Sequence, residues 1–135
     1  MDLDSTILAV ATPSGQSARG MIRIAGPHAL GLANRILESP LPETVGVYSV
    51  RTFPQLHNLP ALAILFTADR GPLGQPVVEL WMPGHPELLN RGLNTLLEEG
   101  AAYGARLASP GEFPARAWML GRMDLTQAEG VGLLV

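Results

Sequence analysis

Apolar and polar residues alternate from the start of the chain. "STILAVAT", Ser5 to Thr12, alternates and is rich in β-branched residues, which predicts a strand. A polar, glycine-bearing loop, "PSGQSARG" from Pro13 to Gly20, leads into "MIRIAG", Met21 to Gly26, a return strand that completes a β-loop-β unit. In "PHALGLANRILES", Pro27 to Ser39, a proline stands at the start, and Leu30, Ala33, Ile36 and Leu37 recur at the spacing of one helical face. Strands are then predicted over Val45 to Phe53, Ala61 to Ala68 and Pro76 to Pro83. From Pro86 to Gly100 the leucines Leu88, Leu89, Leu93, Leu96 and Leu97 share a face and a glycine closes the run, which reads as a second helix.

The order is β-β-α and then β-β-β-α, without strict βαβα alternation. It predicts an α+β fold, a mixed or antiparallel sheet packed with helices. Neither an internal repeat nor a linker interrupts it. Two further helix starts follow close together. Ser109 with Glu112 has the form of a capping box, with Pro110 at the first helical position, and Asp124 with Gln127 repeats the pattern. Between them Trp118, Met119 and Leu120 are expected against a core, with Arg116 and Arg122 to the sides. The last predicted helix, "DLTQAEGVGLLV", stays apolar to Val135 without a stop signal. It reads as the truncated start, over 121–135, of a helix that follows a domain spanning 1–120 and either continues in a longer chain or finishes against another subunit.

Composition narrows the function classes. Apolar residues make up 47% and charged residues 16% of 135, which argues for one globular domain and against disorder. The formal net charge of -3 supplies no basic field for nucleic acid, so a direct RNA grip by this chain alone is expected to be weak. Without cysteine there is neither a disulfide nor a thiolate site. All nine basic residues are arginine, which excludes lysine-based Schiff-base chemistry. The acidic opening lacks a signal-peptide pattern, and no apolar run is long enough to span a membrane, so a cytoplasmic location is expected.

A few charges stand out from this background. Arg23 lies between Ile22 and Ile24, and Glu79 between Val78 and Leu80. A charge in an apolar strand must face water, a partner or a ligand. Arg122 falls at a helix C-terminus, where the helix dipole favours a cation. His85 precedes Pro86 and is placed to cap the second long helix. His28 and His57 have no partners at metal-ligand spacing, so no metal is expected. The loop from Pro13 to Gly20 offers backbone amides that can cradle an anion.

Three segments carry a resemblance. "PGEFPARAWMLGRMDLTQAEG" resembles the PGEF-x-x-RAF-x-NGK-x-DL-x-QAEA signature of the bacterial tRNA-modification GTPases of the MnmE or TrmE family. "STILAVATPSGQSARGMIRIAG" is similar to that family's opening, and "VVELWMPGHPELLNRGLNTLLEEGA" to its central VVE segment and the helix after it. The resemblance covers the whole chain and only the family's N-terminal domain. It implies a fold akin to the folate domain of aminomethyltransferases, a domain that binds a tetrahydrofolate derivative such as 5-formyl-tetrahydrofolate, and a homodimer. The intact family protein adds a helical domain with an inserted GTPase, and works with the flavoprotein MnmG on the wobble uridine of certain tRNAs.

By motif position the resemblance carries folate contacts onto Arg23, Glu79 and Arg122, and it carries no catalytic residue. Arg122 stands where the family has the lysine of NGK. A pterin edge offers N–H donors that a carboxylate accepts in pairs, while the formyl oxygen and glutamate tail call for cations. The departures from the family are local. Gln75 and Pro76 replace two carboxylates, Pro83 to His85 replace HGG, Leu120 replaces the asparagine of NGK, and Ala18 and Arg19 replace paired glycines. There is no G-x-x-x-x-G-K-[ST] segment, so GTP has no phosphate-cradling loop here. Two other readings stand beside the folate module: a stand-alone folate-dependent one-carbon transferase, and a dimerisation module that has lost its ligand.

Overall fold

A computed structural model describes residues 2–11 and 18–123. Its six strands are β1 (Ile7–Val10), β2 (Arg19–Ala25), β3 (Gly46–Thr52), β4 (Leu59–Phe66), β5 (Val77–Pro83) and β6 (Arg106–Leu107). They form one sheet in the order β3-β4-β5-β2-β1-β6. Every neighbouring pair is antiparallel except β1 with β6. Three helices accompany it, α1 (Ala29–Asn34), α2 (Pro86–Glu99) and α3 (Glu112–Met119). The fold is α+β, as the segment order predicts.

Two cores lie on opposite faces of the sheet. Leu8, Ile22, Ile24, Val78 and Leu80 point to α1 and α2, where Leu32, Leu89 and Leu96 complete the larger core. The other face is covered only in part. Ile7, Ala25 and Val77 pack with Ala117 of α3, the one helix that reaches that side among the described residues. α2 earns its place through leucine spacing: Leu89, Gly92 and Leu96 are its buried residues, and at Gly92 a Cβ would come within 2.9 Å of the Phe53 ring.

Several predicted boundaries move, each for a local reason. β1 is shorter than Ser5 to Thr12, and buried Thr6 turns its Oγ to accept the His28 backbone N–H at 3.3 Å. β2 begins at Arg19, inside the predicted loop. α1 stops at Asn34 instead of reaching Ser39, because the Asn34 side chain accepts the Leu41 N–H and Leu37 bridges to Thr52 at the outer edge of β3. Ile36 and Leu37 are therefore buried from the turn and the bridge that follow α1, not from a helical face. β3 ends at Thr52, where Phe53 takes a φ of 55° and its ring, 0% exposed, enters the core. The short strand β6 carries no sequence signal, since two residues cannot show a period.

The Ser109/Glu112 box forms by half. The Glu112 side chain accepts the Ser109 backbone N–H at 2.9 Å, but the N-cap is Gly111 and no side chain caps the helix. His85 likewise occupies an N-cap position without a side-chain bond. Trp118 and Met119 face outward, 40% and 48% exposed, which corrects the expectation that they pack on a core. Arg116 makes the opposite correction: it lies at the centre of the packing, fully buried. The predicted helix start at Asp124, the run to Val135 and residues 13–17 of the loop predicted from Pro13 to Gly20 fall outside the described residues. No helix among the described residues is long and apolar enough to cross a membrane.

Candidate functional site

β2 and β5 are antiparallel neighbours whose register sets Arg23 directly opposite Glu79. Alternation from core-facing Ile22, Ile24, Val78 and Leu80 turns both charges to the α3 side of the sheet. Arg23 donates from Nε (3.2 Å) and Nη2 (2.9 Å) to Glu79 Oε2. The indole N–H of Trp81 donates to the other oxygen, Oε1, at 3.3 Å. The Glu79 carboxylate thus has both lone-pair sites of Oε2 engaged by Arg23 and one site of Oε1 engaged by Trp81, which leaves a second site open on Oε1. Its side chain is 12% exposed against 30% for Arg23, so the pair is half-buried and open from one side. The Arg23 guanidinium carbon stands 5.3 Å over the Phe113 ring of α3, a cation–π contact that holds the arginine in place.

Arg122 is set by the end of α3. Gly121 has a φ of 76°, the Gly121 N–H bonds the Trp118 carbonyl, and the Arg122 N–H bonds the Ala117 carbonyl at 2.7 Å. This is a Schellman closure, and only the glycine takes its left-handed position without strain. From there Arg122 reaches the turn after β4 and donates to the Ala68 carbonyl at 2.6 Å. It lies on the same side of the sheet as the Arg23–Glu79 pair, but no hydrogen bond among the described residues joins it to that pair. Of the three residues singled out from the sequence, the fold therefore joins two and sets the third against backbone.

Below the pair sits a cluster that the sequence reading missed. Arg106 grips Glu112 with two bonds, Nη1 to Oε1 at 2.8 Å and Nη2 to Oε2 at 2.6 Å. Arg116, one helical turn on, donates to Glu112 Oε2 (3.1 Å), Gln75 Oε1 (3.0 Å), Ser5 Oγ (3.0 Å), and the carbonyls of Ser5 (2.8 Å) and Asp2 (3.0 Å). Its Nε is buried without a partner among the described residues. Chiefly through the Arg106 bonds, the Glu112 carboxyl is held down at about 2. Glutamate and arginine four residues apart were the available signal for this cluster. Its work is to fasten the segment before β1 and the loop before β5 to α3, which holds α3 against the lower half of the open face.

A groove of about 800 Å³ opens at the end of the sheet beyond Trp81. Arg19, Arg51 and Trp81 line it, together with Tyr48, Met82 and the loop carrying Glu38. A volume of this size suits a small organic ligand. Elsewhere His28 stacks on Tyr103 with ring centroids 5.1 Å apart, and among the described residues no three of His, Asp and Glu gather as metal ligands do.

Comparison with known proteins places this geometry among relatives. Residues 6–122 match the family described as "GTP-binding protein TrmE N-terminus". The "tRNA modification GTPase MnmE" of Bordetella petrii is 39% identical over 130 residues, covering 96% of this chain and 29% of that protein. The protein of the same name from Nitrosomonas europaea is 37% identical over 136 residues, covering 100% of this chain and 29% of its own length. That of Aquifex aeolicus is 36% identical over 134 residues, covering 96% and 29%. The chain spans less than a third of the length of these relatives.

Proposed function

Because this chain belongs to the family of GTP-binding protein TrmE N-termini, we propose that it is the folate-binding and dimerising domain of a tRNA-modification GTPase. The single observation that carries the ligand reading is the half-buried Arg23–Glu79 pair on the α3 side of the sheet, with Phe113 of α3 against the arginine. Glu79 offers its carboxylate to the adjacent N–H donors of a pterin edge, Oε1 through its open lone-pair site and Oε2 by exchanging a bond from Arg23, and Arg23 then supplies the neighbouring cation for an oxygen of the ligand. Arg122 contributes from the α3 side by exchanging its Ala68 carbonyl for a ligand oxygen. A tetrahydrofolate derivative, 5-formyl-tetrahydrofolate being the form to test, fits this set. In the intact protein the domain acts in the cytoplasm beside a GTPase domain and the MnmG flavoprotein, and the folate supplies the one-carbon unit for wobble uridine modification of tRNA.

This chain is not proposed to be catalytic by itself. No histidine stands at the pair as a general base, and the sequence contains no P-loop. That weighs against a stand-alone one-carbon transferase. Homodimerisation is a second part of the proposal, supported by β3, an edge strand whose Val47 is 62% exposed.

The test is a calorimetric titration of the chain with 5-formyl-tetrahydrofolate, beside Glu79→Ala checked for an unchanged circular dichroism spectrum. Saturable binding that the variant loses supports the reading. A folded wild-type dimer that gives no heat leaves a dimerisation module without a ligand.

A further inference from the structure

The open face of the sheet is ordered in rows, one for every two residues along a strand. Ala25, Val77 and Phe66 make the row nearest α3, and Arg23, Glu79 and Ile64 the next. Met21, Trp81 and Leu62 follow. The outermost row brings Arg19 opposite Pro83 and Arg51 opposite Pro60. The residues beside the two arginines confirm their side of the sheet. A Cβ on Gly20 would meet Leu89 of α2 at 2.5 Å, and Thr52 is fully buried, so Arg19 and Arg51 point the other way. Both arginines are exposed.

From Glu79 to the arginine row is four residues along β5, about 13 Å at ~3.3 Å per residue. Trp81 occupies the interval: its indole N–H holds Glu79 while its ring lines the groove that Arg19 and Arg51 also line. Among the residues lining that groove Glu38 is the one acid, against two arginines, which leaves it cationic. A hydrogen-bonding head site, an aromatic wall and a guanidinium row thus succeed one another along one face. Arginine's planar fork is suited to paired bonds with carboxylates.

We infer that the Arg19/Arg51 row seats a carboxylate-bearing tail of the ligand whose head is read at Glu79, with Trp81 packing against the segment between. The inference rests on the ligand reading of Glu79 given above and adds where the ligand's charge goes. Arg19 stands where the resembled family has glycine, so this cationic row is a feature of the present chain. Because a longer anionic tail meets more of the row, affinity should rise with the number of tail carboxylates.

The experiment titrates the whole chain with three probes: 5-formyl-tetrahydrofolate, its triglutamate form, and 5-formyl-tetrahydropteroate, which lacks the glutamate. The expected order of affinity is triglutamate, then monoglutamate, then pteroate, with steps of roughly threefold to tenfold that shrink at high salt. Arg51→Ala and Arg19→Ala, checked for unchanged thermal unfolding, should each weaken the two glutamate-bearing probes and leave pteroate as it was. Equal binding of the three probes, or variants that weaken pteroate as much as the others, would overturn the tail site while leaving the head site standing. Failure of all three to bind would remove the head site and the tail site with it.

Discussion

Arg116 and Glu112, one turn apart on α3, form a buried ion pair at 3.1 Å, with side chains 0% and 3% exposed. The pair is what ties the chain's first residues to its last described helix, because the same guanidinium also reaches the backbone of Asp2 and Ser5. Replacing Arg116 by methionine removes five hydrogen bonds and leaves the acceptors on Gln75 and Ser5 without their donor. The expected loss is roughly 3 kcal/mol, the usual scale for breaking a buried pair from one side. Urea unfolding should show a lower midpoint with an unchanged slope, and an unchanged midpoint would refute the anchoring role.

The same cluster sets an acid dependence. Glu112 is held down to about 2 from an ordinary 4.5, so its contribution to stability is full above 4.5, declines as the pH falls toward 2, and is gone below that. Arg106 is 39% exposed and solvent screens part of the attraction, which leaves about 1–2 kcal/mol. Glu112→Gln should be less stable than the wild type at pH 7, and the gap should close between pH 4.5 and pH 2. A gap that stayed constant over that range would mean that charge is not its source.

Gly26 ends β2 with a φ of 132°, and a Cβ there would lie 2.8 Å from the Thr6 Cα and 2.9 Å from the Ser5 carbonyl oxygen. Both obstacles are backbone of the segment that leads into β1, so no rotamer change relieves them. Gly26→Ala is expected to cost about 2 kcal/mol or more, read as a fall in Tm. Gly104→Ala is the control, since it has a φ of 67° but nothing within 4 Å, and should cost less.

Val47 lies on β3, the strand at one end of the sheet, at 62% exposure. Val47→Lys should leave stability within about 0.5 kcal/mol, as exposed substitutions do, while placing a charge on an edge that a second copy would cover. Sedimentation is expected to show a dimer turning into a monomer. A variant that remains dimeric places the interface elsewhere.

Much of this protein is determined by local pattern. The succession of the five longer strands, the α+β class and the leucine face of α2 follow from periods of two and of 3.6 residues, which a sequence displays directly. Arg23 and Glu79 also stood out, because a charge inside an apolar strand is costly unless something answers it. Their family position was readable for the same reason that any contiguous motif is.

What the tertiary structure alone decided concerns residues that meet from distant parts of the chain. That Arg23 and Glu79 answer each other depends on the register between β2 and β5, and a slip of one residue would have sent them to opposite faces. Arg116 reads as a helix-flank arginine until the segment before β1 closes over it, 111 residues away in sequence. Ile36 and Leu37 show helical spacing, yet the Asn34–Leu41 hydrogen bond and the bridge from Leu37 to β3 draw them into a turn and a bridge beyond the helix. Local propensity is weak compared with burial and hydrogen bonding supplied by distant partners, so these positions were settled only when the sheet assembled.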